Sequence, residues 1–356
     1  MTATPPGTEP TGAGMQQPGP KRTGSKGGKG AGIVVLLLLL LAAAGGVAFV
    51  VWTMVGGGAI VSKAEEHLPA ECSIVSRLDL AGMMKVPAVV KHVLPVLDAQ
   101  AAQAENKGKL AKLLVTARLN PKKDLHTVAV CIKGIDAVKG SGSAVFVVGG
   151  SLVPGALLKA MKQHASEGEV KETEIAAKPA LEFNSTPTVY AVQADDAALI
   201  IGNNKALVAA AVPISDAYKT RYKLASKGHV AVVATKAAAK ALPSAAAKQN
   251  PLLGQLLGAE RMSIVASLAP GELELRLGMA NETSAAALAV AAEGVLVMSL
   301  AGGSLLLPPM LKGALEKRKI EAQGKDVVAA VPIPAEAIEM GAKSLAAAIQ
   351  EGGERL

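Results

Sequence analysis

Residues 33–55, IVVLLLLLLAAAGGVAFVVWTMV, run without a single charge. As a helix they would reach about 34 Å at 1.5 Å per residue, enough to cross the hydrocarbon core of a bilayer. A cleaved signal peptide has an apolar region of only about 7–15 residues, so this stretch reads as a retained anchor. Lys21, Arg22, Lys26 and Lys29 precede it, whereas Lys63 is offset by Glu65 and Glu66 on its other side. The excess of positive charge before the span places the N-terminus in the cytoplasm and the rest of the chain outside it. The expected organisation is a disordered cytoplasmic tail over 1–32, a transmembrane helix over 33–55, a linker over 56–67, and two folded units over 68–215 and 216–356. The location that follows is the inner (cytoplasmic) membrane, with the C-terminal part periplasmic or extracellular.

Half of the 356 residues are hydrophobic, but only seven are aromatic, and Phe49 and Trp52 fall within the span. A surface that stacks bases is therefore not expected, nor is a nucleic-acid partner. Without the tail's four basic and one acidic residues, 33 basic residues face 28 acidic ones. That balance, with lysines spread along helical stretches such as KAAAKALPSAAAK, describes a solvated face rather than a polyanion-binding one.

From Glu71 onward short apolar strands alternate with helices and turns. ECSIVSRLDL, LHTVAVCIKG, SAVFVVGG, EVKETEIA, LEFN, TVYAVQ and AALIIG read as strands, with ADDA as a hairpin turn and Asn203 or Asn204 as the cap of KALVAAAV. After residues 214–228 the order recurs more loosely in GHVAVVAT, RMSIVASLAPGELELRLGMA and RKIEAQGKDVVAAVPIP, closed by the helix AEAIEMGAKSLAAAI. The fold class expected is α+β, with two related units of mainly antiparallel sheet, helices packed on one face, and one transmembrane helix in front.

LPAECSIVSRLDL, LNPKKDLHTVAVCIKG, SAVFVVGGSLVPGALLKAM and VYAVQADDAALIIGNNKALVAAAV, in that order, resemble a bacterial family of single-pass, membrane-anchored extracytoplasmic proteins of unknown function. The likeness covers about residues 68–215 and echoes weakly to 345. It implies a fold and a location, and brings no catalytic residues with it.

Candidate chemistry centres on Asp79, Asp124, His126 and Cys131. In a regular strand His126, Val128, Val130 and Ile132 would share one face and Leu125, Thr127, Ala129 and Cys131 the other, which separates His126 from Cys131 unless a bulge intervenes. When the hairpin glycines are matched, RMSIVASL aligns with LHTVAVCI and sets Met262 against His126 and Ser267 against Cys131. Cys72 and Cys131 either form a disulfide or stay as buried thiols. His67, His92, His164 and His229 show no zinc-site spacing, and Met83 and Met84 near His92 read as core. Gly150 and Gly155 have the spacing of a phosphate loop, but Ala156 stands where lysine is needed, so they read as turn formers.

No catalytic, cofactor or metal site is assigned. The preferred function is a non-enzymatic binding or scaffolding protein attached to the membrane through 33–55, with another envelope protein as partner. One alternative is the handling of lipid or apolar ligands, suggested by residues 284–311, where Glu293 is the only charge. The other is an enzyme assembled from the scattered residues above.

Overall fold

The computed structural model describes residues 64–99, 113, 115–136, 141–165, 168–224, 228–240, 258–301 and 309–353. The expected tail and transmembrane helix lie outside these. Among the described residues no helix is long and apolar enough to cross a membrane.

Twelve strands form one antiparallel sheet: β1 (Ile74–Asp79), β2 (Leu125–Asp136), β3 (Ser141–Gly150), β4 (Val170–Ile175), β5 (Lys178–Phe183), β6 (Val189–Asp195), β7 (Ala198–Gly202), β8 (Val230–Thr235), β9 (Arg261–Ser267), β10 (Glu272–Gly278), β11 (Lys319–Gln323) and β12 (Asp326–Pro332). Their spatial order is β11-β12-β10-β9-β8-β1-β2-β3-β7-β6-β5-β4. Seven helices are labelled here: α1 (Leu80–Met83), α2 (Pro87–His92), α3 (Ala156–His164), α4 (Lys205–Ala211), α5 (Glu282–Ala301), α6 (Pro309–Glu316) and α7 (Ala335–Gly353).

The order β1-β2-β3-β7-β6 is repeated as β8-β9-β10-β12-β11, and β1 joins the two wings by pairing with β8, Ser76 opposite Val232. Two-fold exchange about that pair superimposes Leu78 on Ala234. Their partners Val128 and Met262 then become equivalent, as do Cys131 and Val265. The glycine-matched alignment of β2 with β9 is therefore displaced by two residues, and His126 corresponds to Glu260.

Pairing also fixes the two ends of the sheet. Asp79 lies opposite Thr127, Leu78 opposite Val230, Val230 opposite Ala266, and Glu272 opposite both Ser267 and Pro332; this is the upper end. Ile74, Ile132, Ala234, Gly278 and Asp326 mark the lower one.

Helices cover both faces, not one. Val128, Val130, Val148 and Leu199 pack with Leu157 and Ala160 of α3, Val89 of α2 and Ala342, Ala346 and Ile349 of α7. The intervening Ala129, Cys131, Val145, Val147 and Ile200 pack with Leu207, Val208 and Ala211 of α4. Both alternating sets of β2 are apolar, so it is not the half-buried strand its sequence suggests; each face needs its own cover. Asn204 caps α4 by accepting from the Leu207 amide at 3.0 Å. Gly150 has no room for a side chain, because a Cβ there would stand 1.9 Å from the Asp124 carbonyl oxygen.

Cys72 and Cys131 are joined in a disulfide that closes 59 residues. It ties the segment ahead of β1 to the middle of β2. Replacing both cysteines by alanine should lower stability by about 2–4 kcal/mol through the wider freedom of the unfolded chain. Denaturant unfolding of oxidised wild type against the double variant, with circular dichroism as readout, measures this.

Candidate functional site

The most chemically loaded region lies at the upper end of β1, β2 and β8. Arg77 sits on β1 with its side chain 7% exposed, and its guanidinium donates from Nε to Glu65 Oε1 at 3.0 Å and from NH1 to the Gly228 carbonyl at 2.9 Å. Its NH2 stands 3.8 Å from Asp79 Oδ2. Glu65 belongs to a buried 3-10 turn, Ala64–His67, at the end of the stretch expected to be a linker. The Ala64 amide donates to Thr127 Oγ1 at 2.8 Å, the Glu66 carbonyl accepts from Ser215 at 2.7 Å, and His67 Nδ1 faces the Ala211 and Val212 carbonyls at 3.1 and 3.2 Å. His67 Nε2 lies 3.5 Å from Asp195 Oδ2. Each residue of the turn is thus fixed to a different part of the fold.

Two histidines flank this network. His126 occupies a bulge between Leu125 and Thr127, where the pairing with β3 shifts. The bulge brings Leu125 into the cluster of Val128 and Val130, whereas strict alternation would have grouped it with Cys131. Burial lowers the pKa of His126, opposed by Asp124 and Asp79; its Nε2 is buried and has no hydrogen-bond partner among the described residues. His229 Nδ1 accepts from the Leu268 amide at 3.0 Å, and burial lowers its pKa too, with Asp79 opposing and Arg77 assisting.

Of the four sequence candidates, the structure gathers Asp79, Asp124 and His126 within electrostatic reach and removes Cys131. Cys131 is consumed by the disulfide on the other side of β2 from Val128 and Val130. Asp79 caps α1, accepting from the Gly82 amide at 2.9 Å, and Asp124 accepts from the Asn120 amide at 2.5 Å. Two carboxylates engaged with backbone donors beside a desolvated imidazole make a polar brace, in which the neighbouring Thr127 hydroxyl accepts from the Ala64 amide. Sequence reasoning passed over Glu65 and Arg77. Their only signal was a charge on the central strand, twelve residues after an acid in a polar stretch.

The other candidates are dispersed. Lys91 Nζ and His92 Nε2 lie 2.8 and 2.7 Å from Glu339 on α7, and the hydrogen bonds from Lys91 and then His92 hold the Glu339 carboxyl down to about 2. His164 meets Thr116 Oγ1 at 3.0 Å, and Met83 and Met84 pack against the core. Among the described residues no cluster of three or more histidines, cysteines or carboxylates is arranged to hold a metal. Gly155 adopts a left-handed φ of 67° ahead of α3. A depression of about 750 Å³ at the lower end is lined by Glu71, Lys133, Ser143 and Asn204, and the first two are ion-paired across it.

Arg77→Met leaves the Glu65 carboxylate buried and unpaired, which should cost roughly 3–5 kcal/mol, whereas Glu65→Leu/Arg77→Met should cost distinctly less. Thermal unfolding of the two variants makes the comparison. The neutral histidines add a pH dependence. Folded pKa values below the usual 6.5 mean that the unfolded chain binds protons first, so stability is fully present above that value and declines as pH falls through it. In His126→Gln/His229→Gln the decline between pH 7 and pH 5 should be shallower.

No family model matches this chain, and no curated protein matches it. Among solved structures it is similar to crystal form I of TP0453, with a TM-score of 0.38, 10% identity, and coverage of 80% of this chain and 98% of that one. Crystal form III of the same protein gives a TM-score of 0.36 and 10% identity over 84% and 97% of the two chains.

Proposed function

We propose that this is a membrane-anchored extracytoplasmic protein of the bacterial envelope that binds or organises another envelope component and performs no covalent chemistry. The observation that carries this reading is the disulfide joining its only two cysteines. Such bridges persist where thiols are not kept reduced, which agrees with the orientation inferred from the basic residues before 33–55. The same bridge takes the one thiol among the scattered candidates out of nucleophilic use. The buried brace of Glu65, Arg77 and Asp79 supports a rigid scaffold in which the segment nearest the anchor is part of the core. The division into units at 68–215 and 216–356 belongs to this reading as two arms of one platform.

A reporter fused after Leu356 tests the location. A phosphatase that matures only outside the cytoplasm should be active, and a fluorescent protein that matures only inside should stay dark. The reverse pattern would overturn the reading, and turnover of any substrate by the purified full-length protein would overturn its non-enzymatic part.

A further inference from the structure

Helix α5 starts at the lower end of the sheet and climbs. Asn281 caps it, accepting from the Ser284 amide at 2.8 Å, and the preceding Met279 pairs with Lys325 in the β11–β12 turn. Ala285, Leu288 and Ala289 pack on Leu277 and Val327, with Ile320 and Met262 beside them. Eleven residues after Glu282, Glu293 accepts from NH2 of Arg318 at 2.7 Å, and Arg318 directly precedes β11 at the upper end. The remaining turns of α5 therefore pass the upper edge of β11.

A helix that is apolar all round needs cover all round. The sheet covers one side of α5. The other presents Ala286, Ala287, Val290, Gly294 and Val297 as exposed residues, Val290 at 75% and Val297 at 49%. Glu293, the only charge within 284–301, pairs with Arg318; the arginine side chain is 7% exposed and the carboxylate side chain 45%. Past Glu282 its polar residues are Thr283, Ser284, Glu293 and Ser299, and the rest of the helix is alanine, glycine, valine, leucine and methionine.

Two further facts identify the cover. The chain enters the fold at the same upper end, where Ala64 is bonded to Thr127, and only residues 56–63 separate it from 33–55. Eight residues span at most about 29 Å. On either side of Arg318, which meets α5, Lys317 and Lys319 are exposed, as is Lys312 on α6, against Glu316 as the acidic residue of that stretch.

We propose that the upper end of the sheet rests on an anionic lipid bilayer, with the upper turns of α5, around Val297, in the boundary between headgroups and acyl chains. The three lysines face lipid phosphates. This rests on reading 33–55 as the anchor. The upper end of the helix dips into the interface and the helix does not cross, because the strands on either side of it, β10 and β11, belong to one sheet.

The sole tryptophan, Trp52, makes the two ideas separable. Full-length protein is reconstituted in phosphatidylcholine–phosphatidylglycerol vesicles with and without brominated acyl chains, and fluorescence loss is compared for wild type, Trp52→Phe/Val297→Trp and Trp52→Phe/Lys325→Trp. Quenching of wild type and of the Val297→Trp variant, with the lower-end Lys325→Trp variant spared, is the expected result. Replacing Lys312, Lys317 and Lys319 by glutamine should weaken the Val297→Trp signal alone. An unquenched Val297→Trp beside a quenched Trp52 would overturn the seating and leave the anchor, as it would if a protein partner shielded the helix. Quenched Val297→Trp beside unquenched Trp52 would remove the anchor and leave a peripheral contact.

Discussion

A guanidinium buried on the strand that links the two wings sets the terms for the rest of this molecule. Arg77 lies on β1, which is paired on both edges, so its charge cannot reach water sideways and must be met from above the sheet. Isolated charges in such a place are far too costly to persist. Glu65 meets it, and to do so residues 64–68 must cross the upper end before the chain descends to the disulfide at Cys72 and turns back into β1. The direction from which the N-terminal segment arrives is thus dictated by one ion pair, and Thr127, Ser215 and the carbonyls at the end of α4 reinforce it.

The repeated strand order shows how equivalent positions have parted. Register makes Val147 equivalent to Arg276, Val145 to Glu274 and Val192 to Glu321. In the first wing those valines form the floor for α4. In the second the same face carries Arg276 bonded to Glu274 at 3.0 Å and near Asp326 at 3.6 Å, a set of charges that no apolar helix would cover. The helix after β12, the counterpart of α4, accordingly packs on the opposite face with α2, and Glu339 bridges it to Lys91 and His92. The three positions that floor α4 in the first wing thus carry charge in the second, where the terminal helix packs on the other side of the sheet.

Alternation and turn residues made every described strand legible, because a period of two survives in short segments and hairpins such as ADDA announce themselves. What stayed hidden depends on contacts between distant residues. KAEEH reads as polar linker, and only the presence of Arg77 in the sheet makes its glutamate a core residue. A bulge at His126 has no signature in LHTVAV, so Leu125 falls on the wrong face by counting. Both alternating sets of β2 are small and apolar, and a count of hydrophobic residues cannot say whether one or both will be covered. The disulfide likewise needs Cys72 beside β2, a consequence of the path that Glu65 imposes.

The same limit applies to α5, and there it bears on what the protein does. Alanine, valine and leucine all round a helix are compatible with a core, a bilayer or a boundary between the two, and residues 284–311 alone do not choose. The sheet settles one side by packing Ala285, Leu288 and Ala289, and strand connectivity excludes a crossing. Arg318, 25 residues from Glu293 in sequence, pairs with the only charge on α5 past Glu282. α5 is left with one side packed on the sheet and an outward side on which Val290 and Val297 are exposed, and that surface is what the proposed lipid contact uses. The buried pair of Glu65 and Arg77 and the pair of Glu293 and Arg318 both lie toward the upper end of the sheet, so in the proposed seating a single end of the molecule carries both.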